Sequence, residues 1–146
     1  MKHVRICLQT MLLVTCGATL AACHLELLRD HPLGCRSDEQ PMVRDTLYFG
    51  TRIPHGGGEV DDSHWQRFAQ EVITRAFSQG FTELTAHGTW RGADGAIDTE
   101  VSRVVVIVHA DDHVSAAALR DVTQRYRDMF HQESVLRERS AVCAQF

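Results

Sequence analysis

Read for hydrophobic and polar positions alone, the chain has an apolar run near its start, an unpatterned stretch, and a patterned remainder from Asp45 onward. Asp45–Arg52 alternates and carries β-favouring side chains, which predicts a strand. Pro54-His55-Gly56-Gly57-Gly58 breaks it. Asp62 or Ser63 is placed to cap a helix, with Gln66 three residues after Ser63 as a capping box requires. Trp65, Phe68, Ala69, Val72, Ile73 and Ala76 then recur at helical spacing, and Gly80 ends the unit. Phe81–Trp90 reads as a strand, Gly92-Ala93-Asp94-Gly95 as a hairpin turn, and Ile97–His109 as the return strand. Asp111 or Asp112 opens a second helix expected to bury Val114, Ala118, Val122, Met129 and Phe130, and Ser134–Ala144 closes as a strand.

The order β-α-β-β-α-β predicts an α+β domain of ferredoxin-like type: a four-stranded antiparallel sheet with two helices on one face. In that arrangement the last strand lies beside the first. Val104–Val108 is apolar at every position, so both faces of that strand are expected to be covered. Helices account for one face. A second copy forming a homodimer, the preceding segment folded back, or a ligand would account for the other. The plain alternative is a central strand whose outer valines are partly exposed.

The apolar start reads as an address rather than as structure. Lys2 and Arg5 precede a mostly apolar run from Ile6 to Leu20, which Gln9, Thr10 and Thr15 interrupt. It is too short for a spanning helix of about 20 apolar residues. Leu20-Ala21-Ala22-Cys23 resembles the lipobox of bacterial lipoproteins, so residues 1–22 are expected to be a signal peptide and Cys23 the lipidated, palmitate-bearing N-terminus. Residues 23–44, with Pro32, Gly34 and Pro41, would tether the domain. The expected location is the periplasmic face of the outer membrane, anchored in the membrane by lipid; ordinary cleavage would instead leave a soluble secreted protein. Loss of the signal and acylation of Cys23 leave Cys35 and Cys143. In an oxidising compartment these form a disulfide or stay as two buried thiols. The ferredoxin-like strand order brings them near each other and favours the bridge.

Charge and composition remove several functions. The formal charge of −4 becomes −6 once Lys2 and Arg5 leave with the signal, a poor match to nucleic acid. Lys2 is the only lysine, so a Schiff-base lysine and a Gly-Lys-Ser/Thr phosphate loop are both impossible in the mature chain. No cofactor signature is present, and the histidines form no HxH or HExxH metal pattern; His109 and His113 are four apart but straddle a strand end and a helix cap, so they read as surface histidines.

What chemistry is left depends on the hairpin. A two- or four-residue loop puts His87 opposite Ser102 or Glu100, so that His87, Thr89, Glu100 and Ser102 share the open face. Tyr48 points to that face too. Leu84, Ala86, Trp90, Val105 and Ile107 then fall on the helix-covered face, together with Arg103, which needs an acidic partner there. The candidate site is therefore Tyr48, His87, Glu100 and Ser102. His87 would be a general base oriented by Glu100, or the group is a hydrogen-bonded polar edge.

Several segments carry a family likeness. Arg44-Asp45-Thr46-Leu47-Tyr48-Phe49-Gly50, Trp65-Gln66-Arg67-Phe68, Gly88-Thr89-Trp90-Arg91, Glu100-Val101-Ser102-Arg103, Gln132-Glu133-Ser134-Val135-Leu136 and Val142-Cys143-Ala144-Gln145-Phe146 resemble domain-of-unknown-function family 3574, small exported bacterial proteins. The likeness spans roughly residues 44–146 and implies export and a domain boundary. It implies no activity. The resulting expectation is an uncharacterised, non-enzymatic envelope lipoprotein that binds a small ligand or an envelope protein. The alternative is a small enzyme of the dimeric α/β-barrel kind, monooxygenase- or isomerase-like, with a pocket near Tyr48, His87 and Val104.

Overall fold

The computed structural model describes residues 34–92 and 94–146. The expected signal peptide, Cys23 and the chain up to residue 33 lie outside the described residues. Among the described residues, six strands and two helices form the domain. Strand β1 is Gln40–Gly50, and Arg52–Ile53 and Gly58–Glu59 (β2 and β3) pair as a short ribbon around the turn Pro54–Gly56. Helix α1 begins as Asp62–Phe68, widens into a π-helical stretch at Ala69–Ile73 and ends in Thr74–Ala76. Strands β4 (Thr82–Arg91) and β5 (Ile97–His109), helix α2 (His113–Phe130) and strand β6 (Leu136–Ala144) complete the chain. The main sheet has the order β4-β5-β1-β6, and every pairing in it is antiparallel.

β1 starts five residues earlier than its pattern predicts, because Gln40–Arg44 pairs with Ser140–Ala144 of β6. Part of the expected tether is therefore sheet. That extension sets Pro41 opposite Cys143, and Cys35 closes the disulfide to Cys143 with Cα atoms 5.5 Å apart.

Alternation along the strands sends Leu47, Phe49, Val105 and Ile107 to one face. Both helices cover that face through Trp65, Phe68, Ile73, Leu119, Val122, Tyr126 and Phe130. Phe49 and Tyr126 meet edge-on with ring centroids 4.7 Å apart, and Phe68 lies 5.0 Å from Tyr126. Each such buried ring contributes roughly 1.5–3 kcal/mol of transfer free energy.

The helix stripes are shifted from the sequence expectation. Asp61, one residue before the predicted cap, accepts the His64 backbone N–H at 2.9 Å. Its carboxyl is held down at about 2 by that bond and by the Ser63 hydroxyl. The wide turn at Ala69–Ile73 advances the buried stripe by about one residue. Ile73 and Phe77 are buried, whereas Val72 and Ala76 of the expected stripe pack only partly. On α2 the buried line is Leu119–Val122–Tyr126–Phe130, while Val114 and Met129 face solvent. Asp112 caps α2 by accepting the Ser115 N–H at 2.7 Å.

Two charge groups lie on the covered face, one partly exposed and one buried. Arg103 reaches Asp62 and the Thr85 hydroxyl, with Glu83 3.7 Å away, which supplies the acids its position demands. Asp45, fully buried, accepts from Arg137 Nε at 2.6 Å and Nη2 at 3.0 Å, and from His109 Nε2 at 2.7 Å. Burial pushes the Asp45 carboxyl up, but the hydrogen bonds from Arg137 and His109 outweigh it and hold it below the ordinary 3.8.

On the other face Val104 is buried and Val106 half-buried within one chain. Tyr48 and Leu84 are the direct cross-strand neighbours of Val104. A second copy is not needed to explain the apolar run.

Candidate functional site

The β4–β5 hairpin decides which side chains can meet. Arg91 pairs with Ile97, leaving a five-residue loop, Gly92–Ala96. Within it the Gly95 N–H bonds to Gly92 O, Asp94 Oδ1 accepts the Ala96 N–H, and Gly95 sits at φ 83°. An odd loop reverses the facing expected from a two- or four-residue turn. His87 stands opposite Val101, and Gly88 opposite Glu100. His87 and Thr89 thus lie on the helix side of this edge strand, with His87 exposed, while Leu84, Ala86 and Trp90 lie on the open face. The expected grouping of His87 with Glu100 and Ser102 does not form.

Tyr48, Glu100 and Ser102 do come together. In register, Tyr48 faces Val104, Gly50 faces Ser102, and Gly88 faces Glu100, all on the open face. Two glycines at this spot let the Glu100 and Ser102 side chains lie close to the sheet backbone. A Cβ on Gly50 would fall 2.5 Å from Glu100 Oε1, and one on Gly88 would fall 2.9 Å from Ser102 Oγ. Above them lies a cavity of about 180 Å³, walled by Tyr48, Trp90, Gln132, Ser134 and Leu136.

Gln132 is brought there by the end of α2. His131 takes a left-handed conformation that stops the helix, and the Gln132 N–H turns back to Arg127 O. The Gln132 side chain then donates Nε2 to Arg52 O at 2.8 Å. From beneath the sheet the Tyr126 hydroxyl donates to Gly50 O at 2.8 Å. Burial, and then the nearby Glu100, pushes the Tyr126 phenol well above its ordinary range, so it stays a donor. The Gly50–Arg52 backbone is held from both sides of the sheet.

Glu100 is 9% exposed. Its Oε2 accepts the Arg52 backbone N–H at 2.7 Å, and its Oε1 takes no hydrogen bond from the described residues. The Trp90 indole N–H is buried without a partner among the described residues. Such a group costs about 1–3 kcal/mol when it finds no acceptor. The Tyr48 hydroxyl donates to Glu138 Oε2 at 2.8 Å, and this bond raises the phenol's pKa. Gln132 and Trp90 belong to the site although the sequence pattern points to neither. An even loop would put Trp90 on the covered face, and Gln132 stands out only as a polar member of a family motif.

Trp90 also borders a second, more open space of about 520 Å³, lined by Pro54, His55, Glu59, Asp94 and Glu133 among others. Among the described residues the group with metal-ligand spacing is Cys35, Glu39 and Cys143, whose two sulfurs are already joined. No helix of the described residues is long and apolar enough to cross a membrane.

The fold and site define an α+β domain with a small, mostly apolar cavity built around one buried carboxylate. The family model described as "Protein of unknown function (DUF3574)" matches residues 44–146, and the chain belongs to this family. Among solved structures it is similar to a phage SAM lyase in complex with S-methyl-5'-thioadenosine, at 11% identity and a TM-score of 0.55, covering 80% of this chain and 97% of that one. The apo phage lyase gives 13%, 0.52, 73% and 90%. A PII-like signalling protein from Thermus thermophilus gives 16%, 0.45, 74% and 93%. The two lyase likenesses bear on the fold alone. No curated protein matches the sequence.

Proposed function

We propose that this chain is a lipid-anchored cell-envelope protein whose ferredoxin-like domain binds a small organic ligand in the open-face cavity without transforming it. The observation that carries the binding role is Glu100: a buried carboxylate with one oxygen fixed by the Arg52 N–H and the other open to a cavity floored by glycines. Surrounding apolar walls with a few placed polar groups are the usual make-up of a small-molecule site. The strand order and the shared helix face support the ferredoxin-like reading. The sequence supports the anchor through Leu20-Ala21-Ala22-Cys23 at the close of a signal-like segment. The His87–Glu100 pair that an acid–base scheme was expected to use does not form, because His87 lies on the other face.

Mass spectrometry of the exported chain tests both parts. The intact mass of the processed chain is expected to match residues 23–146 with acyl groups on Cys23 and two hydrogens fewer for the disulfide. An unacylated mature chain would overturn the anchor. The native spectrum is expected to show a co-purified small molecule that Gly50→Val removes. A bare chain that also binds nothing from a metabolite mixture would overturn the binding role.

A further inference from the structure

We infer that the open-face cavity selects a small organic cation, its charged head on Glu100 and its apolar body against Tyr48, Trp90 and Leu136. This rests on the ligand-binding role above and narrows it to a chemical class.

Four observations lead there. First, a buried carboxylate is costly unless it is paired. Glu100 takes part in none of the ion pairs seen among the described residues, such as Arg103 with Asp62 and Glu83, Arg137 and His109 with Asp45, and Arg139 with Asp111. Glu100 has a single backbone N–H, on Oε2, and Oε1 opens to the cavity that Glu100 lines. Second, the missing Cβ atoms of Gly50 and Gly88 let the Glu100 carboxylate and the Ser102 hydroxyl lie against the sheet backbone, where both line the cavity. Third, Trp90 and Tyr48 wall that space, and aromatic faces attract cations within about 6 Å. Fourth, the adjoining open space carries three carboxylates, Glu59, Asp94 and Glu133, against one arginine, Arg52, so its balance of charge is negative and favours a cation.

A metal ion is a worse fit. Glu100 is a lone carboxylate here, and no group of three ligating side chains among the described residues includes it.

The test is a charge series on one apolar body: phenethylamine, phenethyl alcohol and phenylacetate, each titrated into the exported chain. The Trp90 indole N–H resonance reports occupancy, with the Trp65 indole, bonded to Glu83, as internal control. Phenethylamine is expected to shift the Trp90 signal and to bind at least tenfold more tightly than the alcohol, with phenylacetate weakest. Glu100→Gln keeps an acceptor for the Arg52 N–H and is expected to lose that preference. Ser134→Lys adds a positive charge at an exposed position on the cavity wall, away from the floor, and is expected to weaken the amine at least as much. Benzyltrimethylammonium separates the two kinds of cation: equal binding points to cation–π contact, loss of binding to a hydrogen-bonded amine. Equal binding of amine and alcohol overturns the cation assignment and leaves the ligand-binding role standing. A Trp90 signal unmoved by all four probes overturns the cation assignment, and the binding role falls with it only if the chain also binds nothing from the metabolite mixture.

Discussion

The two faces of the sheet, built from alternate residues of the same strands, treat polar groups in opposite ways. On the covered face Asp45 is fully buried, and three donor atoms from Arg137 and His109 satisfy it. On the open face Glu100 is almost as buried, yet among the described residues only the Arg52 N–H bonds it, and the nearby Trp90 N–H has no partner there either. Arg103 Nε, unpartnered on the covered side, is the exception there. Packing differs as well. Aromatic rings fill the covered face, whereas on the open one Gly50 and Gly88 leave room for the polar side chains of Glu100 and Ser102 beside a cavity. A buried polar group completed within its own chain is structural. One left incomplete beside a void is where an outside molecule gains most.

The largest test of this contrast is on the covered face. Phe49→Ala removes a ring packed against Trp65, Phe68 and Tyr126, and is expected to lower stability by about 3–5 kcal/mol in urea unfolding. Asp45→Asn should cost about 3 kcal/mol, the lower end for breaking a buried pair, because Arg137 is partly exposed. Since the folded carboxyl of Asp45 lies below its ordinary 3.8, its contribution is complete above that pH and is lost as pH falls through the folded value. Wild-type stability is therefore expected to drop below about pH 4, with Asp61 and Asp112 acting in the same direction. Asp45→Asn should flatten that slope. An unchanged slope would mean that the Arg137 and His109 bonds do not operate in solution.

Changes on the open face should act on ligands more than on stability. Gly50→Ala forces the Glu100 carboxylate to move, because the new Cβ would stand 2.5 Å from its oxygen. The expected cost is about 1–2 kcal/mol, in the range for overpacking, with loss of amine binding in the same titration. The smallest effect is Tyr48→Phe, which deletes an exposed bond to Glu138 and should change stability by less than about 1 kcal/mol. If Tyr48→Phe instead matched Asp45→Asn, the contrast between the faces would be mistaken.

Much of the fold was legible. The alternation of β1, a cap at Asp111 or Asp112, and the apolar line through Val105 and Ile107 follow from residue type and spacing, and the Cys35–Cys143 bridge was favoured by the expected strand order; the structure bears these out, with Asp112 as the cap. The start of β1 was not, because Gln40–Arg44 is a strand only through its pairing with β6. The shifted stripe of α1 was not either, since a π turn leaves no mark in hydrophobic period. Three of the four candidate site residues, Tyr48, Glu100 and Ser102, meet in one cavity, while His87 does not.

By itself, then, the sequence determined the kinds of element, their order and the residues rich enough in chemistry to form a site, because these follow from local period and side-chain type. Only the tertiary structure decided which of those residues share a face. Side chains alternate with a period of two, so one residue more or less in a hairpin turns every partner over. The five-residue loop Gly92–Ala96 therefore carries His87 to the covered side and Trp90 to the cavity.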